Sequence, residues 1–241
     1  MKECLTVNLG LAGYAGALAL QRRIAAARKT GSIGDVLLLC EHPHVITQGR
    51  NGRREHLLVS DSVLRQKNIE YFETSRGGGI TYHGPGQIVG YPILDLNGLR
   101  RDVGWYVRQL EETMLRATAG FGISAGREAG KTGVWVARPD GPPEKIGAIG
   151  VHLSRWVTSH GFAYNVSTDL RYFGLIVPCG ISGRAATSLE KLLDRRVACA
   201  EVLPLLVRHF GEAFGLVMRH ATPDMLLGLL EAAERQLAVS A

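Results

Sequence analysis

The fold class depends on one stretch, Lys145-Ile146-Gly147-Ala148-Ile149-Gly150-Val151-His152. Small and apolar residues alternate along it, which is typical of a strand that passes a crowded site. A turn rich in proline and glycine, residues 138–143, precedes the stretch, and Arg155 to Val166 can pair with it. The sequence therefore predicts a β-hairpin here, with Thr132 to Ala137 as a further strand before the turn.

Outward from this hairpin, helices and strands are mixed along the chain. Helical spacing of apolar residues, with capping residues at several starts, predicts helices over 14–29, 61–67, 103–119, 188–193, 201–214 and 223–237. Short apolar runs predict strands over 35–40, 45–47, 69–72, 87–94 and 173–177. We expect an α+β fold, a mixed β-sheet flanked by helices. We also expect a single catalytic domain over 1–241, with C-terminal helices at about 200–238 packing on it.

The chain has 241 residues, 46% of them hydrophobic, and a formal net charge of +6. This length can bury a sizeable core, and the composition is ordinary for a soluble globular protein. The basic surplus favours acidic partners. Its arginines occur in small groups and no nucleic-acid-binding motif accompanies them, so we expect no nucleic-acid partner.

Four cysteines, Cys4, Cys40, Cys179 and Cys199, stand far apart and form no CxxC pair. The start of the chain lacks the pattern of a secretory leader, and its apolar runs are too short to span a bilayer. We therefore expect a reduced, cytoplasmic setting with no membrane partner.

A second glycine-rich segment covers residues 76–87, Arg-Gly-Gly-Gly-Ile-Thr-Tyr-His-Gly-Pro-Gly-Gln. Three successive glycines cost much conformational entropy, and their usual benefit is the close approach of a ligand or a strand to the backbone. A flexible surface loop is the alternative interpretation. The segment lacks the spacing of a phosphate-binding loop or a dinucleotide fingerprint.

One cysteine lies between a proline and a glycine, in Val177-Pro178-Cys179-Gly180-Ile181. Such a turn can hold a thiol in a cleft, where its side chain has little conformational freedom left to lose. A lone cysteine is more often a small buried hydrophobe, so a catalytic interpretation needs a partner elsewhere in the chain.

Lys145 is the candidate partner, because it opens an otherwise apolar strand where a lysine can stabilise a thiolate. A solvated strand-end lysine is the alternative. His83 and His152 lie beside the glycine-rich segments and are candidate hydrogen-bonding groups. His42 and His44 lack a third ligand at a recognisable spacing, so we predict no metal site.

Four motifs occur in order and resemble those of one family. They are residues 76–87, residues 145–152, the run Gly161-Phe162-Ala163-Tyr164-Asn165-Val166, and Pro178-Cys179-Gly180-Ile181. Together they resemble the octanoyltransferases of lipoate biosynthesis. The resemblance spans roughly residues 35–188 and implies the fold of the biotin/lipoate protein ligase catalytic domain. It also implies transfer of an octanoyl group from acyl carrier protein to a lysine of lipoyl domains.

The resemblance also implies roles for individual residues. Cys179 would carry the acyl thioester, and Lys145 would lower the pKa of that thiol and move protons. The acyl pocket would be formed by Arg76, Gly77, Gly78, Gly79, Ile80, Thr81, Tyr82, His83, Ala148, Ile149, Gly150, Gly161, Phe162 and Ala163. No cofactor is implied. The acceptors would be the lipoyl domains of 2-oxoacid dehydrogenases and the H protein of glycine cleavage, and we expect the enzyme to be a monomer.

Two other functions stay open from the sequence. An ATP-dependent lipoate or biotin protein ligase would share the fold, although such an enzyme does not need a cysteine nucleophile. A non-catalytic module that binds acyl carrier protein would not need Cys179 and Lys145 together. The two alternatives differ from an acyltransferase in whether ATP is required and whether an acyl group becomes attached to Cys179.

Overall fold

A computed structural model describes residues 2–177 and 185–239. Its strands are β1 (Lys2–Leu11), β2 (Asp35–Glu41), β3 (Val45–Gln48), β4 (Glu70–Glu73), β5 (Ile80–His83), β6 (Gln87–Ile93), β7 (Gly126–Glu128), β8 (Lys131–Val136), β9 (Glu144–Ser154), β10 (Val157–Asn165) and β11 (Leu216–His220). Its α-helices are α1 (Tyr14–Lys29), α2 (Asp61–Gln66), α3 (Val103–Ala119), α4 (Leu189–Leu193), α5 (Cys199–Phe214) and α6 (Pro223–Val239).

Eight of the described strands form one mixed sheet in the order β11-β1-β2-β6-β10-β9-β8-β7, and β4-β3-β5 form a second, smaller sheet. The predicted hairpin is confirmed as β9 and β10, paired antiparallel from Val157↔Ser154 to Tyr164↔Gly147. Strands β1 and β11, which were not predicted, pair in parallel, with β11 at one edge of the large sheet. The predicted mixed sheet flanked by helices is thus confirmed.

Strand β2 explains why its sequence is a continuous apolar run. Val36 and Leu38 belong to a core that includes α1 and α6, whereas Leu37 and Leu39 belong to a core that includes α3 and α5. Successive side chains of a strand point to opposite faces. A strand covered by helices on both faces must therefore be apolar at every position.

The predicted helix starts are confirmed where a side chain caps them. Asp102 accepts a hydrogen bond from the Trp105 N–H at the start of α3, and Ser188 accepts one from Lys191 at the start of α4. Ser60 precedes α2 as predicted, but its side chain makes no capping bond to the described backbone of that helix. None of the described helices is long and apolar enough to cross a membrane.

The strand predicted at 173–177 is wrong over its first part. Residues Leu170–Leu175 form a 3₁₀ helix, begun by the Asp169 side chain, which accepts from the Arg171 N–H. Only Ile176 makes a bridge within the described part of this run, with Leu57. The apolar residues of this run pack on the core of the small sheet, whose members include Ile46, Ile80 and Ile176. Burial of that kind does not require extended backbone.

Candidate active site

A cavity of about 450 Å³ lies between the glycine-rich segment 76–81 and strands β6, β9 and β10 of the large sheet. Its volume is within the usual range for small-molecule pockets, about 300–1,000 Å³. Apolar residues of its wall include Val89, Ile149 and Phe162. The cavity can therefore shield a short hydrocarbon chain from water.

Strand β9 runs along this cavity from Lys145 to Val151. At about 3.3 Å per residue, Lys145 and Gly150 lie about 16 Å apart along the strand. We call the region of Thr132, Trp135, Lys145 and Ala185 the lysine end of the cavity. The region of Arg76, Gly77, Gly78, Gly150 and His160 is the glycine end.

At the lysine end, the Lys145 ammonium group contacts strand β8. Its Nζ donates to the Thr132 carbonyl at 3.1 Å and lies 4.4 Å from the centre of the Trp135 ring. Both contacts favour a positive charge. The side chain is half-buried, so its head group is restrained but accessible from the cavity.

Gly133 makes room for this lysine. Its φ is +123°, and a Cβ at this position would lie 2.5 Å from the Gly147 carbonyl oxygen and 3.3 Å from Lys145 Cε. Its N–H donates to the buried carboxylate of Glu111, which also binds Arg127. Glycine at 133 is thus required by both the backbone angle and the space.

Glu144, the sequence neighbour of Lys145, belongs to a different set of contacts. Its buried carboxylate accepts hydrogen bonds from Lys191 and Arg138, at 2.9 Å and 2.7 Å. These cations help hold the pKa of Glu144 below its usual value, against the effect of burial. Glu144 is therefore a structural anion that ties β9 to α4.

At the glycine end, the predicted close backbone approach is present. The Gly77 N–H donates to the Val151 carbonyl at 2.8 Å, so the segment lies directly on β9. A Cβ on Gly150 would come within 2.9 Å of the Gly77 carbonyl oxygen. Gly78 has φ +83°, a left-handed value that favours glycine.

Arg76 is 8% exposed and is fixed by several hydrogen bonds. Its Nη2 donates to the Thr47 carbonyl at 2.6 Å and to Thr47 Oγ1 at 2.9 Å, and its Nη1 donates to the Gly77 carbonyl. The guanidinium group thus fastens the glycine-rich segment to β3. Its charge also disfavours protonation of the nearby His160 and His83.

A chain of buried polar side chains connects the two sheets behind the cavity. His83 Nδ1 lies 2.7 Å from Gln87 Oε1, Gln87 Nε2 donates to Asn165 Oδ1, and Asn165 Nδ2 donates to the Thr187 carbonyl. The Thr187 N–H in turn donates to the Lys145 carbonyl at 2.9 Å. This chain fixes the strand that carries Lys145 relative to β5 and β6.

Burial sets the charge of the histidines in this region. Burial lowers the pKa of His83 to about 3, with further lowering by the neighbouring His42. Burial and the Arg76 charge lower the pKa of His160 to about 4. Both side chains are therefore neutral at pH 7.

The three described cysteines are poor candidates for a nucleophile. Cys4 and Cys40 are buried and Cys199 is half-buried. Burial, with the Glu41 carboxylate, raises the pKa of Cys40 and of Cys199 to about 12, and burial raises the pKa of Cys4 as well. None of these thiols is a thiolate at neutral pH, and the thiolate is the reactive form.

The structure brings most of the predicted site residues to one cavity. The residues in its wall are Arg76, Gly77, Gly78, Gly79, Ile80, Thr81, His83, Lys145, Ala148, Ile149, Gly150, Gly161, Phe162 and Ala163. Tyr82 faces the other side of β5, where it belongs to the core of the small sheet and its hydroxyl lies 2.7 Å from His44 Nδ1. Cys179 lies outside the described residues.

Several wall residues had no predicted role. Gln87 and Asn165 lie inside two of the four motifs and line the cavity. An amide side chain on a buried strand needs a hydrogen-bond partner, so each could have been predicted to belong to a polar network beside the site. Tyr14, at the start of α1, gave no such signal because only the tertiary fold brings α1 to the cavity. Among the described residues, no group of three His, Cys, Asp or Glu side chains is placed to hold a metal ion.

Solved structures with this fold include lipoate and biotin ligases. A bipartite lipoate protein ligase from Thermoplasma acidophilum superposes with a TM-score of 0.74 at 18% identity, covering 96% of this chain and 92% of that one. A lipoate-protein ligase A bound with ATP gives 0.72 at 18% identity, covering 96% and 94%. At such low identity the likeness shows the fold alone.

Curated relatives are much more similar in sequence. An octanoyltransferase of Solibacter usitatus is 53% identical over 218 residues, 90% of this chain and 96% of the relative. An octanoyltransferase of Caldicellulosiruptor bescii is 46% identical over 95% of this chain and 99% of the relative. The family model described as the lipoyl protein ligase A/B catalytic domain matches residues 13–211. The chain therefore belongs to the lipoyl protein ligase A/B catalytic domain family, and within it these relatives are octanoyltransferases.

Proposed function

We propose that the chain is an acyltransferase of lipoate biosynthesis that moves an octanoyl group from acyl carrier protein to a lysine of a lipoyl domain. The observation that carries this proposal is the apolar cavity, which leads along β9 to Lys145. Relatives that are 44–53% identical over most of the chain and are named octanoyltransferases support the same activity.

The cavity is the proposed acyl site. Ala148 and Ala163, paired across β9 and β10, present only small side chains in the wall, so an acyl chain can lie close to these two strands. Burial of the methylenes of an octanoyl chain contributes on the order of 5 kcal/mol, at about 0.8 kcal/mol for each methylene. The glycine end would receive the tail, and the reacting carbonyl would lie at the lysine end.

Cys179 is the proposed nucleophile. The structure describes the chain up to Val177 and again from Ala185, and Ala185 lies in the cavity wall where its carbonyl accepts from the Lys145 N–H. The other three thiols have raised pKa values. The Pro178-Cys179-Gly180 turn in the sequence leaves Cys179 as the thiol suited to thioester exchange.

The reaction has two balanced steps. The Cys179 thiolate attacks the carbonyl of the octanoyl thioester, and the carrier thiol leaves with a proton that Lys145 can supply. The acceptor lysine amine then attacks the Cys179 thioester, an amide forms, and the Cys179 thiolate is released. The proton lost by the amine returns to Lys145, so neither step requires ATP.

The Lys145 side chain would serve both steps in different protonation states. As a cation beside Cys179 it favours the thiolate before the first step. Once the carrier thiol has taken its proton, the neutral amine of Lys145 can accept the proton that the acceptor lysine loses in the second step. We propose further that the whole chain is one monomeric catalytic unit. Its acceptors would be the lipoyl domains of 2-oxoacid dehydrogenases and the glycine cleavage H protein.

The decisive experiment mixes purified protein, octanoyl carrier protein and a lipoyl domain without ATP or magnesium. We expect intact-mass measurements to show one octanoyl group on the acceptor. Without acceptor, the adduct should map to Cys179 and be released by hydroxylamine. Strict ATP dependence with no adduct on Cys179 would instead establish the ligase function.

Matched variants separate chemistry from folding. Cys179→Ser should abolish transfer, because the serine hydroxyl is a far weaker nucleophile. Cys199→Ser alters a half-buried thiol at the start of α5 and should keep near-native transfer. Because the net charge is +6, added salt should slow transfer at low concentrations of acidic carrier protein.

A further inference from the structure

A second cleft, of about 330 Å³, lies between helix α1 and the β9–β10 hairpin. Its wall includes Gln21, Arg22 and Lys29 from α1 and His152 and His160 from the hairpin. His160 also lines the acyl cavity, so the two spaces share a wall. The volume is at the lower end of the range for small-molecule sites.

Two nitrogens on the most deeply buried polar residues of this cleft have no hydrogen-bond partner among the described residues. They are Gln21 Nε2 and His160 Nδ1, and their residues are 1% and 3% exposed. Nearly all buried polar atoms in folded proteins have a partner, because an unmet one costs free energy. His152 Nδ1 is a third such atom. All three residues line the cleft, so a ligand there is the candidate partner for these atoms.

The orientation of the Gln21 amide is fixed by its other atom. Gln21 Oε1 accepts a hydrogen bond of 2.9 Å from the His160 N–H, so Nε2, a donor, is the atom that no described residue satisfies. His160 has φ +54°, a left-handed value that is uncommon for a residue other than glycine. The backbone of β10 thus adopts an unfavourable angle at the residue that holds Gln21.

The charges of the cleft select one class of ligand. Arg22 and Lys29 are seven residues apart, about two helical turns, so they lie on the same side of α1. No Asp or Glu is among the described residues of the wall. Amide donors and two cations without a carboxylate favour an oxyanion and disfavour a metal ion.

We propose that this cleft binds a small molecule through a phosphate-type oxyanion, with Gln21 Nε2 as donor and Arg22 and Lys29 as the charged contacts. Free inorganic phosphate, a nucleotide and a phosphopantetheine arm share this chemistry. The site is separate from the proposed acyl chemistry at Lys145. Its occupant would lie against His160 and so next to the glycine end of the acyl cavity.

Calorimetric titration of the full chain at low ionic strength tests the site. The probes are inorganic phosphate, AMP and 4′-phosphopantetheine, each added separately, with adenosine and pantetheine as the matched compounds without phosphate. We expect saturable binding of at least one phosphate probe and no binding of adenosine or pantetheine. The tightest phosphate probe identifies the source. No binding of any phosphate probe at millimolar concentration would overturn the proposal.

Variants of α1 test the named contacts. Gln21→Glu keeps an oxygen to accept from the His160 N–H but replaces the amide donor with a negative charge, so binding should weaken at least tenfold. Arg22→Gln should weaken it about tenfold. Arg23→Gln is the matched control, because Arg23 pairs with Glu234 at 2.8 Å and is not in the cleft wall. Binding to that control should stay within twofold of wild type.

Nitrogen-15 NMR spectra of the histidine side chains measure binding independently of calorimetry. At a probe concentration near the wild-type Kd, the His160 Nδ1 resonance should shift in the wild type and shift at least several-fold less in Gln21→Glu. If Gln21→Glu melts as a folded protein and still binds phosphate like the wild type, the oxyanion site is wrong. Neither measurement depends on transfer activity, so failure here is distinguishable from failure of the proposed function.

Discussion

The two ends of the acyl cavity each hold a basic side chain, but they hold it differently. Lys145 is half-buried, and the contacts of its ammonium group include the Thr132 carbonyl and the face of Trp135. Arg76 is 8% exposed, and its guanidinium group is bound to Thr47 and Gly77. This difference fits the roles proposed for the two residues, proton exchange for Lys145 and support of the glycine end for Arg76.

Removing the lysine should give the largest effect. Lys145→Ala should lower the transfer rate at least about 100-fold, since general acid–base groups typically contribute factors of 10²–10⁴, and it should slow alkylation of Cys179 at neutral pH. Lys145→Arg should restore only part of the activity, because arginine keeps the charge but does not readily exchange a proton. Transfer assays and alkylation rates across pH measure both.

Lys131→Ala is the control for that experiment, because Lys131 is another cation in the cavity wall. It should keep transfer near the wild-type rate. An unchanged alkylation profile in Lys145→Ala would remove Lys145 from the mechanism.

At the other end, Arg76→Met should act mainly on stability. The Thr47 and Gly77 carbonyls would lose a charged donor, and we expect the free energy of unfolding to fall by about 2–3 kcal/mol. Urea titration measures the loss. A variant as stable as wild type but inactive would show that Arg76 contacts the reacting group instead.

The space beside the lysine can be tested at Gly133. In Gly133→Ala the new Cβ would meet the Gly147 carbonyl and the stem of Lys145. We expect a stability loss of about 1–2 kcal/mol from the positive φ and the contact together, and a transfer rate several-fold lower. Denaturant titration and transfer assays measure the two effects.

Gly122→Ala separates the two causes, because Gly122 has φ +75° and no described atom lies within 4 Å of the point where its Cβ would be. Gly122→Ala should lose stability from its positive φ, as Gly133→Ala does, but it should keep full transfer activity. Equal transfer rates in the two variants would contradict the role of Gly133 in placing Lys145.

The last effect concerns pH and is small near neutral pH. His83 and His160 have pKa values lowered to about 3 and about 4, below the ordinary value near 6.5. At pH values between the lowered and the ordinary pKa, each histidine is protonated in the unfolded chain but not in the folded one. The free energy of unfolding therefore falls as the pH falls from 6.5 towards 4. Each histidine contributes at most about 1.4 kcal/mol per pH unit.

His83→Asn should make this pH dependence shallower, and His220→Asn, at an exposed position of β11, should leave it unchanged. Urea titrations between pH 4 and 7 measure the slopes. Identical slopes in wild type and His83→Asn would show that His83 is not the group that titrates.

Local sequence determined those elements whose signals lie within a few residues. The apolar run of β2 and the Asp102 cap of α3 are examples, because burial on both faces and capping each leave a direct pattern. The glycines at 77 and 150 likewise predicted a close backbone approach, which the Gly77–Val151 hydrogen bond confirms. The resemblance of four motifs pointed to residues that the fold gathers in one cavity, although their roles stay proposals.

Tertiary structure decided what depends on distant contacts. Pairing of β1 with β11 joins residues more than 200 positions apart, and neither strand has an alternation strong enough to predict it. The β9–β10 turn uses Arg155 and Trp156 at positive φ, without an Asn-Gly signal, and the Leu96 N–H donates to the Trp156 carbonyl. Tyr82 faces away from the cavity because adjacent residues of β5 point to opposite faces, and only the packing of the small sheet sets which face is buried.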